Sequence, residues 1–160
     1  MVDCEAQSLR RDDCDQLPGR SASRDVIVAA HQQITDEWWR TKRQLFDLFA
    51  SQLVLREAQA GDKDLAQRRL AVLEDAELLE VTEAALTLSE RLITPGPLPP
   101  KAAEDAVHIA VAVVNGLDYL ITWNCKHIAN ARMRDRIDQV CRAMGYEPVI
   151  ICTPEELLEE

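Results

Sequence analysis

Residues 119–122, Tyr-Leu-Ile-Thr, constrain the fold more than any other stretch of the chain. Three consecutive apolar side chains in so short a run predict a strand covered on both faces, as strands inside parallel sheets are. Parallel neighbours must be joined by a crossover, usually a helix. The flanking sequence supplies two. Residues 101–115 carry Ala102, Ala106, Ile109, Ala110, Val113 and Val114, apolar around most of the helix girth, and Gly116 stops them. Residues 129–144 form a second helical pattern, ended by Gly145.

The same alternation runs along the rest of the chain. From Asp25, residues Val26, Ala29, Ala30, Ile34, Trp38 and Leu45 recur at helical spacing. Leu48-Phe49-Ala50 is a short strand, and Ser51 is placed to cap a helix carrying Val54, Arg56 and Glu57. Gly61-Asp62 interrupts it, a further helix covers 64–74, and 78–81 form a second strand. Thr82 caps a helix over 83–92. The loop from Thr94 to Pro100 is proline-rich, with Pro100 suited to a first helical turn. Val149-Ile150-Ile151 is the last strand, followed by a short helix opened by Thr153-Pro154. Helices alternating with short strands predict an α/β fold with a parallel sheet and right-handed crossovers.

Composition narrows the function. At 160 residues, 47% hydrophobic and 29% charged, the chain reads as one globular domain with a sizeable core. No run spans a bilayer, the polar start lacks a secretory pattern, and five cysteines without framework spacing fit a reducing cytoplasm. A formal charge of −10 argues against broad, non-specific nucleic-acid binding, which requires many Lys and Arg contacts to phosphate. A compact site that grips a phosphodiester through metal ions stays compatible with that charge.

Several side chains suit such a site. Asp105 stands one turn into a helix otherwise lined by alanine and valine, where the helix dipole tolerates negative charge; the plainer alternative is an ordinary first-turn acid. Asn124 follows the inner strand at its C-terminal end, where ligands gather in open α/β sheets; its alternative is a turn residue. Glu57, on the helix after the first strand, has a solvent-facing alternative. His108 and His127 suit metal or base chemistry, although a histidine among apolar residues is more often a hydrogen-bonded core group. Cys125, His127 and Cys141 lack the paired spacing of a zinc site. Trp38 and Trp39 read as core and surface packing. Arg132, Arg134 and Arg136 form a basic helical stretch beside Asn124, either a solvated face or a phosphate contact. Oxygen donors from separate elements, converging at strand ends, suit Mg²⁺ or Mn²⁺.

On these residues the chain resembles the PIN-domain family, small nucleases best known as VapC-type toxins of toxin–antitoxin pairs. The matching pieces are SQLVLREAQAGD around Glu57, KAAEDAVHIAVAVVNGLDYLITWN around Asp105, and TWNCKHIANA with the terminal GYEPVIICTPEELL. They extend over residues 23–158. The resemblance implies a three-layer α/β fold with a parallel sheet of strand order 3-2-1-4-5 flanked by helices. Glu57, Asp105 and Asn124 would be the second, third and fourth members of a metal cluster, as catalytic residues and ligands, with Asn124 matching a branch that carries Asn for the fourth acid. Thr122 would support the cluster by hydrogen bonding, and Arg132 and Arg136 would contact RNA. The implied activity is Mg²⁺- or Mn²⁺-dependent endoribonucleolytic cleavage by a cytoplasmic protein. The implied partners are RNA, an antitoxin protein and a second copy of the chain, with no membrane.

The front of the chain departs from this pattern. Family members begin with an apolar strand ending in an acid. Here residues 9–22, LRRDDCDQLPGRSA, place Arg11 where that acid belongs, and no strand can be drawn. Read one base later, the available codons permit Tyr-Val-Glu-Thr-Thr-Val-Ile-Ser-Tyr-Leu-Ala-Ala-Arg-Pro, the missing strand and helix start. Residues 1–22 are therefore expected to be a non-family tail, disordered or frame-shifted, ahead of a PIN-like domain over 23–160. The central first strand is expected to be absent or disordered, leaving a poorly stable chain and an enzyme impaired as encoded. A non-catalytic PIN-like protein that binds an antitoxin is the second reading.

Overall fold

A computed structural model describes residues 2–3, 26–60 and 63–158. Residues 4–25, which hold nearly all of the expected frame-shifted stretch, lie outside the described residues. The described chain is mixed α/β. Its strands are β1 (Val2–Asp3), β2 (Leu48–Ser51), β3 (Glu77–Leu79), β4 (Tyr119–Ile121) and β5 (Ile150–Cys152). Its helices are α1 (Val26–Thr41), α2 (Gln52–Gln59), α3 (Lys63–Val72), α4 (Glu83–Ile93), α5 (Ala103–Val114) and α6 (Ala131–Ala143).

The strands pair in parallel, β2 with β3 and β4 with β5. Between these pairs lies β1, with Val2 opposite Leu48 and Tyr119, and Asp3 opposite Phe49 and Leu120. The resulting order is β3-β2-β1-β4-β5. This corrects the expectation of an absent central strand. Two residues from the very start of the chain fill that place, and their backbone ladder requires no apolar pattern of the kind sought at residues 9–22.

Local chemistry sets most element boundaries. Ser51 ends β2 and caps α2, its Oγ accepting from the Val54 N–H at 3.3 Å. Because β2 stops there, its ladder with β3 runs only from Phe49–Glu77 to Ser51–Leu79, so β3 sits earlier than the expected 78–81. Thr82 caps α4 through the Ala85 N–H. Pro100 opens a short 3-10 turn, Pro100–Ala102, rather than α5 itself. Asn130 caps α6 by accepting from the Arg132 N–H at 3.0 Å, which moves the helix start to Ala131. Gly116 and Gly145 take φ of +68° and +85°, the left-handed conformation in which glycine ends α5 and α6 without steric cost.

Alternate residues of each strand face opposite sides of the sheet. Leu120 and Ile151 join the large cluster of α4, α5 and α6, where Leu88, Leu92, Ile109, Val111 and Ile137 are buried. Ile121 and Cys152 instead pack against Trp38 of α1. Trp38 is 1% exposed and stands edge-on to Trp39, confirming one core and one peripheral tryptophan. Ala50 packs with Val54, Ala58 and Leu73 of the α2–α3 segment. Among the described residues no helix is long and apolar enough to cross a membrane.

Candidate active site

The C-terminal end of β4 builds the site. Thr122 extends the ladder by donating its N–H to the Cys152 carbonyl at 2.8 Å, and its buried hydroxyl accepts from the Asn124 N–H at 2.6 Å. That contact turns the chain sharply out of the strand and aims Asn124 back at α5.

Asp105 occupies the first turn of α5 and is only 2% exposed. Its Oδ1 accepts from Asn124 Nδ2 at 2.9 Å, and its Oδ2 accepts from His127 Nδ1 at 2.7 Å. The backbone N–H of His127 in turn donates to Asn124 Oδ1 at 3.2 Å. Asp105, Asn124 and His127 therefore close a ring of three hydrogen bonds. The α5 dipole, positive at this end, favours the carboxylate at its centre.

Glu57 is not the solvent-facing acid that a lone helical glutamate usually is. Its side chain is 16% exposed, and Oε1 lies 3.5 Å from Nε2 of the fully buried His108. His108 follows Asp105 by one helical turn on the same side of α5. The structure thus brings Asp105 and Asn124 into direct contact and sets Glu57 beside His108, three residues after Asp105 on α5. Among the described residues no three His, Cys, Asp or Glu side chains converge as a ready metal cage. The donor types at the site are nevertheless hard oxygens, carboxylate and amide, which fit Mg²⁺ or Mn²⁺ in kind.

Next to Asn124, the Trp123 ring stacks on His31 of α1 with centroids 3.9 Å apart and planes 11° from parallel. Trp123 Nε1 donates to Thr35 Oγ1 at 2.9 Å, and that hydroxyl donates to the His31 carbonyl at 2.8 Å. Burial pushes the His31 imidazole below its ordinary pKa, opposed by the nearby charge of Glu155. Arg132 and Arg136 are exposed on α6, whereas Arg134 reaches Glu156 at 3.7 Å. Cys125 is exposed, while burial pushes the thiols of Cys141 and Cys152 up to about 11 and about 12.

Sequence reasoning placed His108 and His127 in the interior but did not join either to a carboxylate. A usable signal existed: His108 follows Asp105 by three residues, and His127 follows Asn124 by three. Asp3 was also missed, because two residues carry no periodicity. Comparison with protein-family models and with characterised proteins finds no match to this chain.

Proposed function

We propose that the chain is a PIN-like, VapC toxin-type endoribonuclease of the cytoplasm that hydrolyses RNA phosphodiester bonds with Mg²⁺ or Mn²⁺ and is impaired as encoded. The observation that carries this reading is the pairing of Asp105 with Asn124 at the C-terminal end of an inner parallel strand. The strand order β3-β2-β1-β4-β5 agrees with the order implied by the resemblance. Helical clusters against opposite strand faces support a three-layer arrangement.

In this reading Asp105, Asn124 and Glu57 hold the cation through oxygen atoms. A bound Mg²⁺ or Mn²⁺ supplies charge stabilisation at the phosphodiester and a hydroxide nucleophile near neutral pH. Thr122 fixes the turn that presents Asn124. Asp3 lies in the central strand, paired with Phe49 and Leu120. Arg132 and Arg136, exposed on α6, meet the RNA backbone. Impairment follows from the missing first acid, with Arg11 where it belongs.

One observation favours a second reading. Both Asp105 oxygens already accept hydrogen bonds, and no cluster of three ligating side chains is formed among the described residues, as a non-catalytic, antitoxin-binding relative would allow. A nuclease assay separates the two. The purified chain is incubated with RNA and Mg²⁺, with EDTA, and with EDTA followed by excess Mg²⁺. Cleavage that EDTA stops, Mg²⁺ restores and Asp105→Asn abolishes supports the enzyme. Intact RNA under all conditions refutes it and leaves the binding protein.

A further inference from the structure

We propose that His127 is the positioning residue of this site, locking Asp105 and Asn124 together so that both present oxygen to a divalent cation. The inference rests on the metal-dependent reading above. It adds a residue that the resemblance does not assign and a role that the hydrogen-bond geometry specifies.

His127 is 3% exposed and makes two of the three bonds in the ring. Its side chain holds Asp105 Oδ2 at 2.7 Å, and its backbone N–H holds Asn124 Oδ1 at 3.2 Å. A carboxylate has no proton to give, so Nδ1 is the donor in the first bond. A carboxylate held at one oxygen alone still rotates about its last side-chain torsion. With Asn124 Nδ2 on Oδ1 and His127 Nδ1 on Oδ2, that torsion is fixed from both ends. The amide of Asn124 is fixed in the same way, since its NH₂ faces Asp105 and its oxygen faces the His127 N–H.

The ring leaves capacity for a cation. Each carboxylate oxygen and the amide oxygen offers about two acceptor positions, and the ring uses one on each. An acceptor position therefore remains on each of these oxygens for a hard cation beside the ring bonds. Ligating carboxylates in metal sites are commonly held by such outer hydrogen bonds, which orient the ligand. His108 stands in a looser version of the relation to Glu57, at 3.5 Å.

The test uses the full chain and Mn²⁺ alone, with free ion measured by electron paramagnetic resonance. The variants are His127→Ala, His127→Gln, whose amide restores an N–H donor, and Asp105→Asn. Expected is Mn²⁺ affinity at least tenfold weaker in His127→Ala, within the roughly 10–100-fold cost of losing an outer-shell partner, with His127→Gln at least threefold tighter than the alanine variant. Proton NMR of the metal-free chain supplies a second readout. A far-downfield Nδ1–H signal is expected in the wild type and absent from His127→Gln and Asp105→Asn; its absence from the folded wild type overturns the ring itself. A loss below tenfold in His127→Ala, or glutamine no better than alanine, overturns the positioning role while wild-type Mn²⁺ binding leaves the metal reading standing. Failure of the wild type to bind Mn²⁺ overturns both. If His127→Ala does not fold, His127→Gln against wild type and the NMR signal decide.

Discussion

Replacing Asp105 separates the charge of the site from its shape. Asparagine keeps the size and planarity of the side chain and retains an acceptor for Asn124 Nδ2. At the second position its NH₂ meets His127 Nδ1, which becomes an acceptor when the ring proton moves to Nε2. A hydrogen bond to a charged group contributes about 1.5–3 kcal/mol and a neutral one about 0.5–1.5. Converting the two bonds to Asp105 therefore costs about 2–3 kcal/mol before any offset. Relief of the desolvation of a carboxylate that is 2% exposed opposes this loss, so a net cost of about 2 kcal/mol or less is expected. Alanine gains the same relief but strands two buried donors, Asn124 Nδ2 and His127 Nδ1, at about 1–3 kcal/mol each. Urea unfolding followed by tryptophan fluorescence is expected to rank stability as wild type, then Asp105→Asn, then Asp105→Ala. Both variants are expected to lose Mg²⁺-dependent cleavage. An alanine variant as stable as the asparagine variant would show that the ring carries no energetic weight, and wild-type cleavage by Asp105→Asn would refute the catalytic assignment.

Three further outcomes follow from other parts of the molecule. His31 has a folded pKa held below 6.5, so the unfolded chain takes up its proton first; the associated stability is present above about pH 6.5 and declines below it through the folded value. His31→Phe, which keeps a ring against Trp123, is expected to flatten that part of the acid denaturation profile, and an unchanged slope would contradict the assignment. Cys141 and Cys152, with thiols pushed to about 11 and about 12, are expected to resist alkylation at neutral pH in peptide mapping while exposed Cys125 reacts; equal labelling without denaturant would show that the packing around α6 and β5 is wrong. If Arg132 and Arg136 meet RNA phosphates, replacing both with alanine lowers the salt-dependence slope of RNA binding by about 0.7 for each contact, and an unchanged slope places the RNA elsewhere.

The strands and caps were legible because their determinants are local. Ser51 and Thr82 each bond to a backbone N–H three residues on, so sequence spacing alone carries the information, whereas the Asn130 cap was not read from the sequence. The apolar girth of α5 likewise foretold its burial. The site was legible only in part, because its decisive contacts join distant segments. Asp105 and His127 are separated by the α5–β4 connection and the turn after β4, and nothing in either neighbourhood records that an imidazole nitrogen will meet a carboxylate oxygen. An interior histidine has the same sequence signature whether its partner is a carbonyl, a carboxylate or a metal. β1 was illegible for another reason. A strand of two residues is too short to leave a pattern to read.

The legible part of the site is carried by neighbouring elements of the fold. Asp105, Asn124 and His127 come from α5 and the turn after β4, and Leu120, Ile109, Ile128 and Ile137 bury the base of those elements within one cluster. On the other face, Trp38 closes over Ile121 and Cys152. Among the described residues, both clusters are built from residue 38 onward. In the proposed metal-dependent reading, cation affinity and ring geometry are separable: fewer carboxylates would lower the affinity, while the bonds from His127 and the Thr122 turn orient Asp105 and Asn124.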